Sequence, residues 1–415
     1  MLISKVGIIG AGPAGAAAAL QLNQLGIDCV VVDKAVFPRD KICGDGLSGK
    51  VITCLNRIDP EIALRLQQAP FKLNSWGVSF VSPNRQELDI GYRPDYNAKD
   101  SSHKKSPIGY VCKRLDFDNF LVEEMKRCAH VNLIEGVSVE QYTLETDGYL
   151  ISGSGGFQLK CDLLIIANGA HSSFTKEVAK IRMEPKYYAA GIRAYYKNVT
   201  GTNADNFIEL HFIKKMLPGY FWIFPLPNGE ANVGVGMLSD TVRRKKVNLK
   251  NELQDIVDND PIIRERFKNA TLIGSVEGYG LPLGGKQRVI SGERYLLTGD
   301  AAFLIDPFTG EGIGNALYTG RIAANHAAKA LEKNDFSPAA LAAYDTEVYR
   351  VMGPELRISH RLQKLVKYSW LFNLLVKISI RNKQVKELLS CMFYEVDLRK
   401  KLAKPSFYIK LLLNR

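Results

Sequence analysis

Cys43 sits in the stretch Lys41-Ile42-Cys43-Gly44-Asp45-Gly46-Leu47-Ser48, where flanking glycines would let the backbone come close to a bound group. A thiol there could bind a metal, attack a substrate, pair in a disulfide, give up a proton or fill space. The seven cysteines are scattered, with no CxxC and none at zinc-like spacing from a histidine. The histidines at 103, 130, 171, 211, 326 and 360 form no HxH or HExxH pair, so no metal is expected. There is no G-x-S-x-G elbow to support hydrolase chemistry. Unpaired thiols point to a reducing, cytoplasmic setting.

Such a loop needs elements to hold it, and the N-terminal run supplies them. Lys5 to Ile9 is apolar and strand-like. Gly10-Ala11-Gly12-Pro13-Ala14-Gly15 follows as a G-x-G-x-x-G, and Ala16 to Leu25 continues as a helix with small residues on its first turns. Cys29 to Val32 is a second apolar strand that ends at Asp33. In this β-α-β order Gly10 permits the tight turn, Gly12 gives a pyrophosphate access to the backbone, and Gly15 lets the helix pack closely on the sheet. Free N–H groups at the helix start would hold phosphates, and Asp33 could accept from a ribose hydroxyl. The unit predicts a dinucleotide site.

A second turn, near residue 300, bears on which dinucleotide. Tyr295 to Ala302 reads as a strand ending in Gly299-Asp300. Pro307 and Thr309-Gly310-Glu311-Gly312-Ile313-Gly314 follow, then a long helix to about Leu331. Asp300 could hold the ribityl chain of a flavin. The Gly310 to Gly314 backbone could approach the pyrimidine side of the ring and stabilise negative charge there. FAD is the expected cofactor. No second complete β-α-β unit built on such a turn exists for a stable NAD(P)H domain. The expected electron donor is therefore external: transiently bound NAD(P)H or a ferredoxin-like carrier.

These motifs resemble the FAD-dependent hydroxylase and oxidoreductase superfamily, the p-hydroxybenzoate hydroxylase-like group. Within it the chain is most similar to the geranylgeranyl reductase family. That likeness rests on the Cys43-Gly44-Asp45-Gly46 loop and on a YxWxFP motif, Tyr220-Phe221-Trp222-Ile223-Phe224-Pro225, followed by Asn232-Val233-Gly234-Val235-Gly236. It covers roughly residues 3 to 350. The resemblance implies an α/β fold (α+β overall), with a glutathione-reductase-like, Rossmann-type FAD-binding domain. An antiparallel β-sheet substrate domain is inserted into it, and a C-terminal helical region follows. The expected boundaries are 1–70, 100–180 and 290–335 for the FAD-binding domain, 71–99 and 181–289 for the substrate domain, and 336–415 for the helical region.

Carried over residue by residue, the resemblance implies cofactor contacts from Gly10, Gly12, Pro13, Ala14, Gly15, Asp33, Lys34, Cys43, Gly44, Arg114, Val139, Gly169, Gly299, Asp300, Pro307, Gly310, Gly312 and Ile313. The family's middle motif is usually Asp-Gly; here it is Asn168-Gly169, with Lys176 in the place of its closing basic residue. The amide keeps hydrogen bonding but brings no charge. Asp116 is the expected N-cap of a helix over Phe117 to Cys128.

From about Lys186 to Ser291 the chain reads as short strands, joined by a hairpin of Trp76 to Val81 and Gln86 to Gly91. Tyr220, Trp222 and Phe224 fall on one face at period two and form an aromatic wall suited to an apolar substrate, with His211 in possible reach. The candidate catalytic set is Cys43, Gly44, Tyr220 and Trp222. Cys43 either gives a proton to an alkene carbon or packs at the ring edge.

The expected activity is FAD-dependent hydride transfer to C=C bonds of an apolar, prenyl or lipid-like substrate of the geranylgeranyl type. Isolated alkenes accept hydride poorly, so positioning carries much of the catalysis. One alternative is a monooxygenase or halogenase of the same fold, for which Lys50 or Lys72 would be the halogenase lysine. Another is a non-catalytic FAD-bound protein at a membrane surface.

Charge is concentrated at one end. Arg350 to Arg415 carries 15 Lys or Arg against 4 Asp or Glu, a net of +11, while the whole chain stands at +12. A near-neutral body gives no reason to expect a nucleic-acid partner. Leu365 to Ile380 and Ser406 to Leu413 mix apolar and basic residues, as helices lying on an anionic membrane do. The expected location is cytoplasmic, with peripheral contact at the inner membrane face.

Overall fold

The computed structural model describes residues 1–92, 107–382, 386 and 389–390. A mainly parallel sheet forms one half. At its centre Leu2–Ile9 pairs in parallel with Phe157–Ile166 and with Cys29–Val32, and Val6 stands opposite both Leu163 and Cys29. Val131–Ile134 continues the sheet past Cys29–Val32, and Tyr295–Leu297 continues it past Phe157–Ile166. Parallel strands covered on both faces need unbroken apolar runs. Cys29-Val30-Val31-Val32 is buried throughout.

Helix Pro13–Gln24 packs tightly on helix Ile313–Lys333. Small residues make this possible: a Cβ on Gly320 would stand 2.0 Å from the Ala14 carbonyl oxygen. Gly15 is held in the same way, since a Cβ there would lie 1.8 Å from the Gly10 carbonyl oxygen. The turns at Gly10 and Gly299 both follow the C-terminal ends of parallel strands, so they open on one edge of the sheet.

The second large sheet has seven strands in the order Thr271–Pro282, Tyr188–Lys197, Glu230–Leu238, Tyr220–Pro225, Ile208–His211, Gly77–Val81, Glu87–Gly91. The expected hairpin joins it. However, Gly77–Val81 pairs in parallel with Ile208–His211, so the sheet is not wholly antiparallel. Parallel neighbours need a crossover connection, and here the chain runs through much of the first sheet between the two strands. A small third sheet of Gly46–Leu47, Gly109–Val111 and Leu73–Ser75 anchors the end of the Cys43 loop.

One helical expectation changes. The helix expected over Phe117 to Cys128 is Arg114–Lys126, with Lys113 at its N-cap. Asp116 therefore lies inside the first turn, where its charge suits the helix dipole, and it does not cap. In the C-terminal region, Pro338–Leu365 buries Leu341, Tyr344, Val348 and Leu356 in the first sheet's core. Ser369–Arg381 sets Phe372 and Val376 among Phe212, Phe308 and their neighbours, yet leaves Trp370 67% exposed, with Leu374 and Ile378 also exposed. Residues 406–413 lie outside the described residues. Among those described, no helix is long and apolar enough to cross a membrane.

Candidate active site

A cavity of about 760 Å³ opens where the two large sheets meet. Gly10, Gly12, Pro13, Ala14, Asp33 and Lys34 line it from the first turn, and Asp300, Gly310, Gly312 and Ile313 from the second. Cys43, Gly44, Arg114, Val139 and Gly169 complete that side, and Trp222 reaches in from the seven-stranded sheet. Gly15, Gly299 and Pro307 stand back from the cavity. Gly15 serves helix packing. Gly299, at φ +55°, turns the chain against Ala14 and Ala316. Pro307 offers its carbonyl to Gln363 Nε2 at 2.5 Å.

The wall fits FAD. Gly12 is the N-cap of its helix, makes no side-chain cap, and has open space where a Cβ would project, with only Arg39 within 4 Å, at 3.7 Å. Gly312 begins the second helix, where Glu311 Oε1 accepts from Gly314 N at 2.9 Å and the earlier N–H groups have no side-chain cap. Two helix N-termini thus open on one cavity, a ready arrangement for phosphate and a developing anion. Asn168 Oδ1 is buried in the wall with no hydrogen-bond partner. Asp33 braces the loop by accepting from Ala11 N at 2.7 Å and Ala35 N at 2.8 Å.

The aromatic strand Tyr220–Pro225 does three different things with its three same-face residues. Tyr220 is set back; its hydroxyl donates to the Thr309 carbonyl at 2.8 Å and so supports the second glycine turn. Trp222 lines the cavity. Its indole lies over Gly234, directly opposite on the next strand, where a Cβ would stand 2.2 Å from Trp222 Cζ2. Phe224 is also set back, and its ring supports Gly44, where a Cβ would be 3.0 Å from Phe224 Cε2. Of the three aromatic residues expected at the substrate, only Trp222 reaches the cavity. His211 does not line it either: its Nε2 meets Glu209 Oε2 at 2.8 Å, and Arg266 closes the same buried carboxylate. This sheet alternation turns His211 to the face opposite Trp222.

A buried polar network ties the cysteine loop to this strand. Trp222 Nε1 donates to Asn232 Oδ1 at 2.9 Å. Asn232 Nδ2 donates to the Cys43 carbonyl at 2.7 Å and to Asp45 Oδ2 at 2.8 Å. Tyr195 donates to the same Asp45 oxygen at 2.7 Å. Asp45 carries φ +67°, unusual for a residue with a Cβ, and the network holds it there. Sequence reasoning gave Asp45, Asn232 and Tyr195 no role. The available signal was an amide inside an apolar strand, which folding leaves only where it is hydrogen-bonded.

The electrostatics keep Cys43 a thiol. Burial pushes its pKa up, against the pull of the Arg114 guanidinium. Arg114 is itself buried and held by Asp118 through Nε at 2.6 Å and Nη2 at 2.7 Å. All six described cysteines are free, so no disulfide competes. Lys41 also lines the cavity; burial lowers its pKa, and its ammonium sits 3.8 Å from the Tyr279 ring centroid. Neither lysine considered for halogenase chemistry lines the cavity. Lys50 is fully buried against Glu355 at 2.5 Å, and Lys72 bonds Asn74 Oδ1 at 3.2 Å. Among the described residues no cluster could hold a metal.

Comparison with known proteins agrees with this geometry. The family model described as an FAD binding domain matches residues 4–352. The chain is 31% identical over 332 residues to a menaquinone reductase of Mycolicibacterium smegmatis, covering 77% of this chain and 75% of the relative. It is 29% identical over 348 residues to a digeranylgeranylglycerophospholipid reductase of Methanosarcina acetivorans, covering 81% and 77%. Among solved structures, a geranylgeranyl bacteriochlorophyll reductase-like protein from Thermoplasma acidophilum superposes with TM-score 0.80 at 22% identity, over 97% of this chain and 99% of that one. A flavin-dependent brominase superposes with TM-score 0.75 at 20% identity, over 98% and 97%, which marks a shared fold. The chain belongs to the FAD-binding-domain family of FAD-dependent oxidoreductases, the family to which its geranylgeranyl-reductase-like motifs pointed.

Proposed function

We propose that this enzyme reduces C=C bonds in the isoprenoid chain of an apolar lipid. The carrying observation is the juxtaposition of Cys43 and Trp222 on one cavity wall, locked together through Asn232. Bound FAD, reduced by an external donor, supplies hydride. The turns at Gly12 and Gly312 hold the cofactor, Trp222 gives the alkene an apolar surface, and the Cys43 thiol stands ready to give a proton. The two reductase relatives act, by their names, on menaquinone and on digeranylgeranylglycerophospholipid, and both molecules carry long prenyl chains. That shared chemistry supports the substrate class.

The test is single-turnover reoxidation. Anaerobically reduced enzyme is mixed with a geranylgeranyl lipid or with menaquinone, and separately with oxygen. Flavin reoxidation by the lipid, with a saturated bond in the product, is expected. Reoxidation by oxygen alone, with an oxygenated or halogenated product, would assign the monooxygenase or halogenase reading.

The helix Ser369–Arg381 supports peripheral membrane contact, since Trp370, Leu374 and Ile378 are exposed beside Lys377 and Arg381. Replacing these three apolar residues by serine should weaken sedimentation with anionic vesicles. Unchanged sedimentation would remove this helix from the contact.

A further inference from the structure

A second cavity, of about 190 Å³, lies between the loop after strand Thr271–Pro282 and one face of helix Pro338–Leu365. Arg357, His360, Arg361 and Lys364 line it from the helix, spaced at i, i+3, i+4 and i+7, so they share one face. Gly284 and Gly285 line it from the loop. No lining residue is acidic. Arg357, Arg361 and Lys364 form no ion pair among the described residues, and Glu355 on the same helix is taken by Lys50. His360 Nδ1 is buried without a hydrogen-bond partner and faces Gly285, where a Cβ would stand 2.8 Å from it. A further guanidinium nitrogen, Arg288 Nη2, is buried and unpartnered on the same loop.

Arg357, Arg361 and Lys364 are exposed along the rim of this concavity, so water screens their mutual repulsion, and an anion seated among them would be attracted by all three. Their field is felt locally: after burial, Lys364 and Lys367 both lower the His360 pKa. The bare backbone at Gly284 and Gly285 leaves room for a compact group, and guanidinium forks match phosphate oxygens. The site stands apart from the FAD cavity by one layer of backbone, because Gly284 N donates to the carbonyl of Ile305 at 2.7 Å and Ile305 lines that cavity.

We propose that this cavity binds a phosphate or diphosphate group, presented either by a soluble ligand or by a lipid headgroup. The inference goes beyond the reductase reading, and its readout requires no turnover. Calorimetric titration of the FAD-loaded full chain with inorganic pyrophosphate keeps the cofactor's own phosphate site filled. The double variant Arg357→Gln/Arg361→Gln should weaken binding at least about tenfold, as loss of charge-assisted hydrogen bonds implies. The control Arg243→Gln/Arg244→Gln removes the same charge from an exposed helix elsewhere and should leave binding unchanged. Sedimentation with phosphatidylglycerol vesicles separates the sources. A loss beyond that of the control assigns a lipid headgroup, and a loss of pyrophosphate binding alone assigns a soluble ligand. No pyrophosphate binding by the unmodified holoprotein, or equal binding by the double variant, overturns the proposal.

Discussion

The indole of Trp222 and the backbone of Cys43 are joined through a single side chain: Asn232 accepts from Trp222 Nε1 at 2.9 Å and donates to the Cys43 carbonyl at 2.7 Å. Asn232 is fully buried, so neither bond can be replaced by water without opening the sheet. The aromatic surface and the thiol loop are therefore set in one geometry.

Asn232→Leu should test this. It leaves the indole N–H, the Cys43 carbonyl and Asp45 each short of a partner, and each unsatisfied buried group costs about 1–3 kcal/mol. The expected result is a less stable protein that still holds FAD but reduces alkenes more slowly, with kcat falling more than KM rises. Equal loss of FAD content would show that Asn232 supports the cofactor site as a whole.

Gly12→Val should fold and lose FAD. Gly12 has φ −70°, so a side chain meets no backbone strain, and the space beside it is open. Gly320→Val should instead destabilise the fold, because its Cβ runs into the Ala14 carbonyl. Flavin absorbance and thermal unfolding of the two variants separate the effects. Retention of FAD by Gly12→Val would place the pyrophosphate elsewhere.

Cys43→Ala separates proton donor from packing residue. Burial holds the thiol protonated at neutral pH. Loss of a general acid lowers the rate by about 100- to 10,000-fold, while loss of packing alone should lower it only a few-fold. Trp222→Ala should act mainly on KM for a long prenyl chain, as removal of a binding surface does. Single-turnover rates at saturating and limiting substrate distinguish the two. An unchanged rate in Cys43→Ala rejects the proton role.

Asp45 gives a pH signature. Burial raises its carboxyl from 3.8 to about 6, against hydrogen bonds from Asn232 and Tyr195 that favour the charged form. The unfolded chain loses this proton near pH 4, and the folded chain near pH 6. Across that window the folded state holds the extra proton, so the contribution of Asp45 to stability falls as pH rises and is level above it. From about pH 4 to about pH 7 the fall amounts to roughly 2 kcal/mol. Denaturant unfolding of the wild type and Asp45→Asn should diverge by that amount across the window. A difference that grows in the opposite direction would mean the carboxylate is stabilised by folding.

The nucleotide half was legible because its signals are local. The order strand, G-x-G-x-x-G, helix, strand appears in consecutive residues, and the sheet register only assembles what the run from Leu2 to Val32 already specifies. The turn at 309–314 was readable for the same reason, since glycine spacing and an adjoining acid are properties of a short segment. The one-face pattern of Tyr220, Trp222 and Phe224 followed from the two-residue period of a strand.

Which of those three meets the cavity was a tertiary decision. Periodicity gives all three the same face. What separates them is the partner each finds across more than forty residues of chain: Thr309 for Tyr220, open cavity for Trp222, Gly44 for Phe224. His211 lies on the opposite face by strand alternation, and what folding decided is its company there: Glu209 and, from far off in sequence, Arg266. Asp45 and Asn232 gained their roles because an isolated polar group cannot be buried without a partner. The chain carries both residues in plain view, but only folding brings residue 45 to residue 232.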